Sequence, residues 1–145
     1  MNENNELLLY IYENASMGVK STTTLIKTIN NKDNKIKKIL EDELKKYESF
    51  VKDSEKLLKK YKVEKKEKGF IADISSYMGI KMEMLKDNSD ARVADMLTKG
   101  FTMGNLDITK KIDMYEKDAD KDILNLAKKL LNFGEYNIEL LKPYL

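Results

Sequence analysis

Residues 7–29, LLLYIYENASMGVKSTTTLIKTI, decide the fold. Leu8, Ala15, Thr22 and Ile29 recur every seven residues, and Ile11, Gly18 and Leu25 fill the second seam position. Tyr12, Val19 and Ile26 lie beside that seam. Such a stripe belongs to a long helix that buries one face against other helices. The periodicity predicts helix 1 over residues 3–29. At its start, Leu7-Leu8-Leu9-Tyr10-Ile11-Tyr12 is apolar around much of the circumference, so more than one seam needs cover there. A packed extra helix or a second subunit would supply that cover, and a homodimer through the start of helix 1 is one expectation.

The same pattern continues downstream. Asn30-Asn31-Lys32-Asp33-Asn34 marks a turn, with Asp33 or Asn34 placed to cap the next helix. Helix 2 is expected over 35–61, on a stripe of Ile36, Ile39 or Leu40, Glu43 or Leu44, Tyr47, Phe50 or Val51, Ser54, Leu57 or Leu58, and Tyr61. Residues 63–68 read as a charged linker ending at Gly69. A short helix over 70–86 keeps helical spacing through Phe70 or Ile71, Ile74, Tyr77 or Met78, Met82 and Leu85, and Met78, Met82 and Met84 read as adaptable core filler. Asp87-Asn88-Ser89-Asp90 stops and restarts the chain, with Ser89 or Asp90 as a cap. Helix 3 is expected over 91–115 and helix 4 over 121–141, stopped by Pro143. Six Gly and one Pro in 145 residues leave little to interrupt this periodicity, and strand-like alternation is missing. The reading is one all-α domain, 1–145. Either the short helix lies in a long crossover that leaves helices 2 and 3 parallel, or it is a lid on an up-down-up-down bundle.

Composition removes several chemistries. The chain has no His and no Cys, hence no imidazole base or ligand, no thiolate and no disulfide. Lys+Arg is 27 against 25 for Asp+Glu, a net charge of +2 that argues against a dedicated nucleic-acid surface. Arg92 is the single arginine, which weakens bidentate phosphate recognition further. The scattered glycines form neither a P-loop nor a dinucleotide pattern. No uncharged run is long enough for a bilayer, and Met1-Asn-Glu-Asn-Asn-Glu is an acidic start unlike a secretory signal, so a cytoplasmic, non-membrane protein is expected.

Polar residues in or beside the stripes mark the candidate site. They are Asn14, Glu43, Tyr47, Asp107, Asn132 and Asn137. Counting from the turns in the crossover topology puts Asn14, Tyr47, Gly104 and Asn132 at similar height, with Glu43 one turn away. Asn14, Glu43, Tyr47, Asp107 and Asn132 therefore form the candidate polar core cluster. It reads as a hydrogen-bonded set that fixes register, or as an altered metal or small-molecule site. Ser16-Met17-Gly18 in helix 1 is echoed by Thr102-Met103-Gly104 in helix 3. A glycine inside a helix costs about 1 kcal/mol against Ala, so Gly18 and Gly104 are candidate helix-packing notches, with a ligand notch as the other reading.

The segments Tyr12-Glu13-Asn14-Ala15-Ser16-Met17-Gly18, Glu41-Asp42-Glu43-Leu44-Lys45-Lys46-Tyr47 and Ala94-Asp95-Met96-Leu97, leading to Thr102-Met103-Gly104, resemble those of small bacterial ferritin-like four-helix-bundle proteins to which no activity is attached. The resemblance implies the fold over nearly the whole chain, with a short extra helix between helices 2 and 3. Di-iron members of that fold carry Glu-x-x-His on two helices. Here Lys46 stands three residues after Glu43 and Ile138 three after Glu135, so the ligand set is not retained and the resemblance does not carry ferroxidase activity. The expectation is a non-catalytic bundle with a structural or protein-interaction role, without cofactor. A carboxylate-only metal site and a binder of a small apolar ligand are the alternatives.

Overall fold

Four stretches of heptad-like apolar spacing fold as four long helices. The computed structural model describes residues 2–29, 33–65 and 87–145. They form α1 (Glu3–Ile29), α2 (Lys37–Lys60), α3 (Asp90–Tyr115) and α4 (Lys121–Leu141), followed by a 3-10 turn at Lys142–Tyr144. No strand occurs among the described residues. The short helix expected over 70–86, with its methionines, lies outside them.

Contacts at the two ends of the bundle fix the direction of every helix. At one end the Tyr115 hydroxyl donates to the Glu6 carboxylate, and the backbone N–H of Asp120 donates to Asn4 Oδ1 at 2.7 Å. The start of α1 thus meets the end of α3 and the start of α4. At that same end Lys60 Nζ lies 2.8 Å from Asp122, and the Tyr61 hydroxyl lies 2.7 Å from Asp120 Oδ2 and 2.8 Å from Asp122 Oδ1. At the other end Asn34 Nδ2 donates to the Asn88 carbonyl and to Asp90 Oδ1, both at 2.9 Å. So α2 and α3 run the same way, and α1 and α4 run against them. Tyr61 and Asp87 stand at opposite ends of the bundle. This is the crossover direction and excludes the up-down-up-down alternative.

Local chemistry explains the helix limits. The Ser89 side chain accepts from the Arg92 N–H, as its position before an apolar run predicts. The start of α2 departs from expectation. Neither Asp33 nor Asn34 caps it; its cap residue is Ile36, which offers no side-chain acceptor. Instead Asp90, from the start of α3, accepts from the backbone N–H groups of Lys35 at 3.0 Å and Ile36 at 3.4 Å. A carboxylate borrowed from the start of α3 therefore serves the start of α2, where free N–H groups favour negative charge.

The core follows the stripes. Leu8, Ile11, Ala15, Leu25 and Ile29 of α1 are buried, together with Leu40, Phe50 and Leu58 of α2. Ala94, Leu97, Phe101, Ile108 and Ile112 of α3 meet Ile123, Ala127, Leu130 and Leu141 of α4. Leu7, Leu8 and Leu9 are all buried within this single chain. Tyr10 and Tyr12 of the same run are half-buried. No described helix is long and apolar enough to cross a membrane.

Candidate functional site: a cleft between α1 and α3

Near mid-bundle the rings of α2, α3 and α4 converge. Tyr47 stacks on Phe101 with centroids 6.5 Å apart and planes 2° from parallel, and Phe133 meets Tyr47 edge-on at 5.0 Å and Phe101 at 5.8 Å. Tyr47 reaches this place because α1 offers no side chain at Gly18. A Cβ built there would come within 2.4 Å of two Tyr47 ring carbons. Gly18 is thus the close-packing notch that its sequence position predicts.

Gly104 behaves differently. A Cβ built on it meets nothing within 4 Å, and the same holds for Gly100 one turn earlier. Gly104 is therefore not a helix-packing notch; it opens space. Since α1 and α3 are antiparallel, and Glu6 pairs with Tyr115, Gly18 stands level with Met103 and Gly104. Met17 and Gly18 of the first triplet and Gly104 of the second line a cleft of about 110 Å³, whereas Met103 points outward. Asn14, Met17, Ser21 and Thr22 form its α1 wall, and Met96, Gly100, Gly104 and Asn105 its α3 wall. Tyr47, Phe101 and Phe133 lie beneath. The close-packing residue that the echo did not reveal is Gly134, where a Cβ would come within 2.0 Å of Asn105 Oδ1, so Asn105 is held against α4.

The predicted polar cluster divides. Glu43 is buried, at 1% exposure, and Tyr47 and Asn14 are half-buried on the cleft. Asp107 and Asn132 are exposed and belong to no polar core. Each directly precedes a buried residue, Ile108 or Phe133, and one step along a helix turns by about 100°, which counting heights does not register. Asp107 still acts on Tyr10, beside Asn14. Burial pushes the Tyr10 hydroxyl up to about 12, and the Asp107 charge adds to this while a hydrogen bond from Asn14 opposes it. Lys111 Nζ lies 4.9 Å from the centre of the Tyr10 ring.

Asn137 is the buried polar partner that heptad counting placed only beside its stripe; it is 3% exposed and donates to the Phe133 carbonyl at 2.8 Å. Helix register brings it level with Glu43. One turn from the Gly18, Tyr47, Phe101 and Phe133 layer come Thr22, Glu43, Leu97 and Asn137, one from each helix. Thr22 is also buried. Neither Glu43 oxygen has a hydrogen-bond partner among the described residues. Burial alone raises its carboxyl to about 8, so Glu43 is mostly protonated at neutral pH.

Among the described residues no charged side chain lines the cleft. A wider groove between the outer faces of α1 and α2 is rimmed by Lys20, Glu48, Lys52 and Glu55, with Lys65 Nζ bonded to Glu55 at 2.9 Å. Among the described residues no three Asp or Glu side chains stand together as metal ligands. No family model matches the chain, and comparisons with curated proteins and with solved structures find no match.

Proposed function

We propose that this protein is a non-catalytic helical bundle that holds a small, uncharged, ring-sized molecule in the cleft between α1 and α3. The observation that carries this reading is the open space over Gly100 and Gly104, set directly above a packed floor of three aromatic rings. Ligand sites are concave and mostly apolar, with a few polar groups that fix orientation. Here Asn14, Ser21, Asn105 and the Tyr47 ring system offer that mixture without a formal charge. A dry cavity of about 150 Å³ takes up benzene; this smaller cleft encloses about one ring, and its open side over the exposed Gly100 leaves a fused second ring outside.

Indole is a suitable probe. A ligand present at about 100 times its dissociation constant stabilises the fold by about 2.7 kcal/mol, which raises the melting temperature by several degrees in a domain of this size. The wild type is expected to show that rise. Gly104→Leu, which fills the open space, is expected to fold and to show none. Equal shifts in both proteins would place indole elsewhere and end this reading.

A protein-interaction role is the second reading. It is favoured by Met103, Leu106 and Met114, which are 70%, 57% and 65% exposed on the outer face of α3. The ferritin-like assignment is likewise proposed, and the parallel run of α2 and α3 supports it. A carboxylate-only metal site finds no support among the described residues.

A further inference from the structure

Thr22, Glu43 and Asn137 make a polar layer in a largely apolar core, directly beside the aromatic floor of the cleft. Three of the buried polar residues of this chain share that one layer. A neutral carboxylic acid can be kept there. A carboxylate cannot, because removing a charge from water without a partner is costly. Among the described residues neither Glu43 oxygen has a partner. At this height α1 contributes Thr22, α3 contributes Leu97 and α4 contributes Asn137, none of them charged. The charged residues of the neighbouring elements are directed elsewhere: Asp95 pairs with Lys99 at 3.0 Å, Glu139 pairs with Lys142 at 2.8 Å, and Lys20 and Lys27 are exposed. On α2 itself Glu41, Asp42, Lys45 and Lys46 are exposed.

We propose that Glu43 is a proton-operated latch on the cleft: protonated, it lets α1 and α2 close; ionised, it draws water into the seam and loosens the cleft floor. The route is short. Thr22 belongs both to the wall of the cleft and to the layer of Glu43. Water entering past Thr22 parts α1 from α2 one turn from the Gly18 contact with Tyr47, the contact that seats the floor ring. The raised carboxyl described above places the change just above neutral pH. The effect on ligand rests on the cleft reading; the loosening of the seam does not.

Two measurements on the full chain separate them. Indole affinity is expected to fall about tenfold or more between pH ~6 and ~9.5 in the wild type, and to change less than about twofold in Glu43→Gln. Over the same range, amide protection factors at Gly18, Thr22 and Tyr47, corrected for intrinsic exchange, are expected to drop about tenfold in the wild type and to stay level in Glu43→Gln. The carboxyl carbon of Glu43, followed by NMR, reports its own titration. Protection that falls equally in both proteins, or a Glu43 carboxyl titrating in the ordinary range near 4.5, would overturn the latch. If indole binds neither protein at any pH, the cleft reading fails, and protection alone decides the latch.

Discussion

At Gly18 a single added methyl group would meet the Tyr47 ring at 2.4–2.6 Å, and at Gly104 it would meet nothing within 4 Å. The same substitution therefore has opposite signs in two glycines of one echoed motif. Gly18→Ala must displace a ring wedged between Phe101 and Phe133, and overpacking of that kind costs about 1–3 kcal/mol. Gly104→Ala gains helix propensity without a clash and is expected to stabilise by about 0.4–1 kcal/mol. Urea denaturation midpoints check both. Nothing in the triplets Ser16-Met17-Gly18 and Thr102-Met103-Gly104 separates them, because what differs is the neighbour across the bundle.

At the scale of the element, the start of α2 depends on a residue from another helix. Asp90 accepts from Lys35 and Ile36 and also from the Asn34 amide. Its loss leaves free N–H groups at the start of α2 and removes a bond that ties α2 to α3. Asp90→Ala is expected to cost about 1 kcal/mol, the usual scale for a lost cap. Hydrogen exchange should show the first turn of α2 fraying, while Ser89 keeps the start of α3. The aromatic floor has the same cross-element character. Its rings come from three helices, and Gly18 on the fourth makes room for them.

At the scale of the whole molecule, two features make stability depend on pH in opposite directions. Glu43 binds its proton more tightly folded than unfolded, since its carboxyl rises from 4.5 to about 8. The native state then holds more protons than the unfolded chain, so stability falls as pH climbs from about 4.5 through about 8. The full loss is on the order of 5 kcal/mol. Glu43→Leu is expected to flatten that slope and to be more stable than wild type at pH ~8, as measured by urea unfolding across the range. The end clamp has the other sign. Burial pushes Asp122 up, but hydrogen bonds from Lys60 and Tyr61 outweigh it and hold the carboxyl below its ordinary range. Its contribution is present above the unfolded value and is lost as pH falls through the folded one. Asp122→Asn should therefore reduce stability near neutral pH and lose that deficit in acid. The Tyr61 hydroxyl, raised chiefly by its hydrogen bond to Asp120, belongs to the same clamp.

Heptad spacing within each segment was enough to determine the helices. Residues 3–29 and 121–141 fold within those limits, and Leu8, Ile11, Ala15, Leu97, Phe101 and Ala127 point inward as their periodicity requires. The buried acid at Glu43 was legible for the same reason, since it falls on the apolar stripe. The site was not. Asp107 and Asn132 were counted into a polar core and face outward, because height along a helix is read from the sequence more easily than angle around it. Whether a glycine is filled by Tyr47 or left open, which helix lends the cap of α2, and which residues share the layer of Glu43 were decided only by tertiary packing. Each depends on how two or more helices are placed against one another, and the periodicity of a single helix specifies the face it buries without specifying what lies opposite.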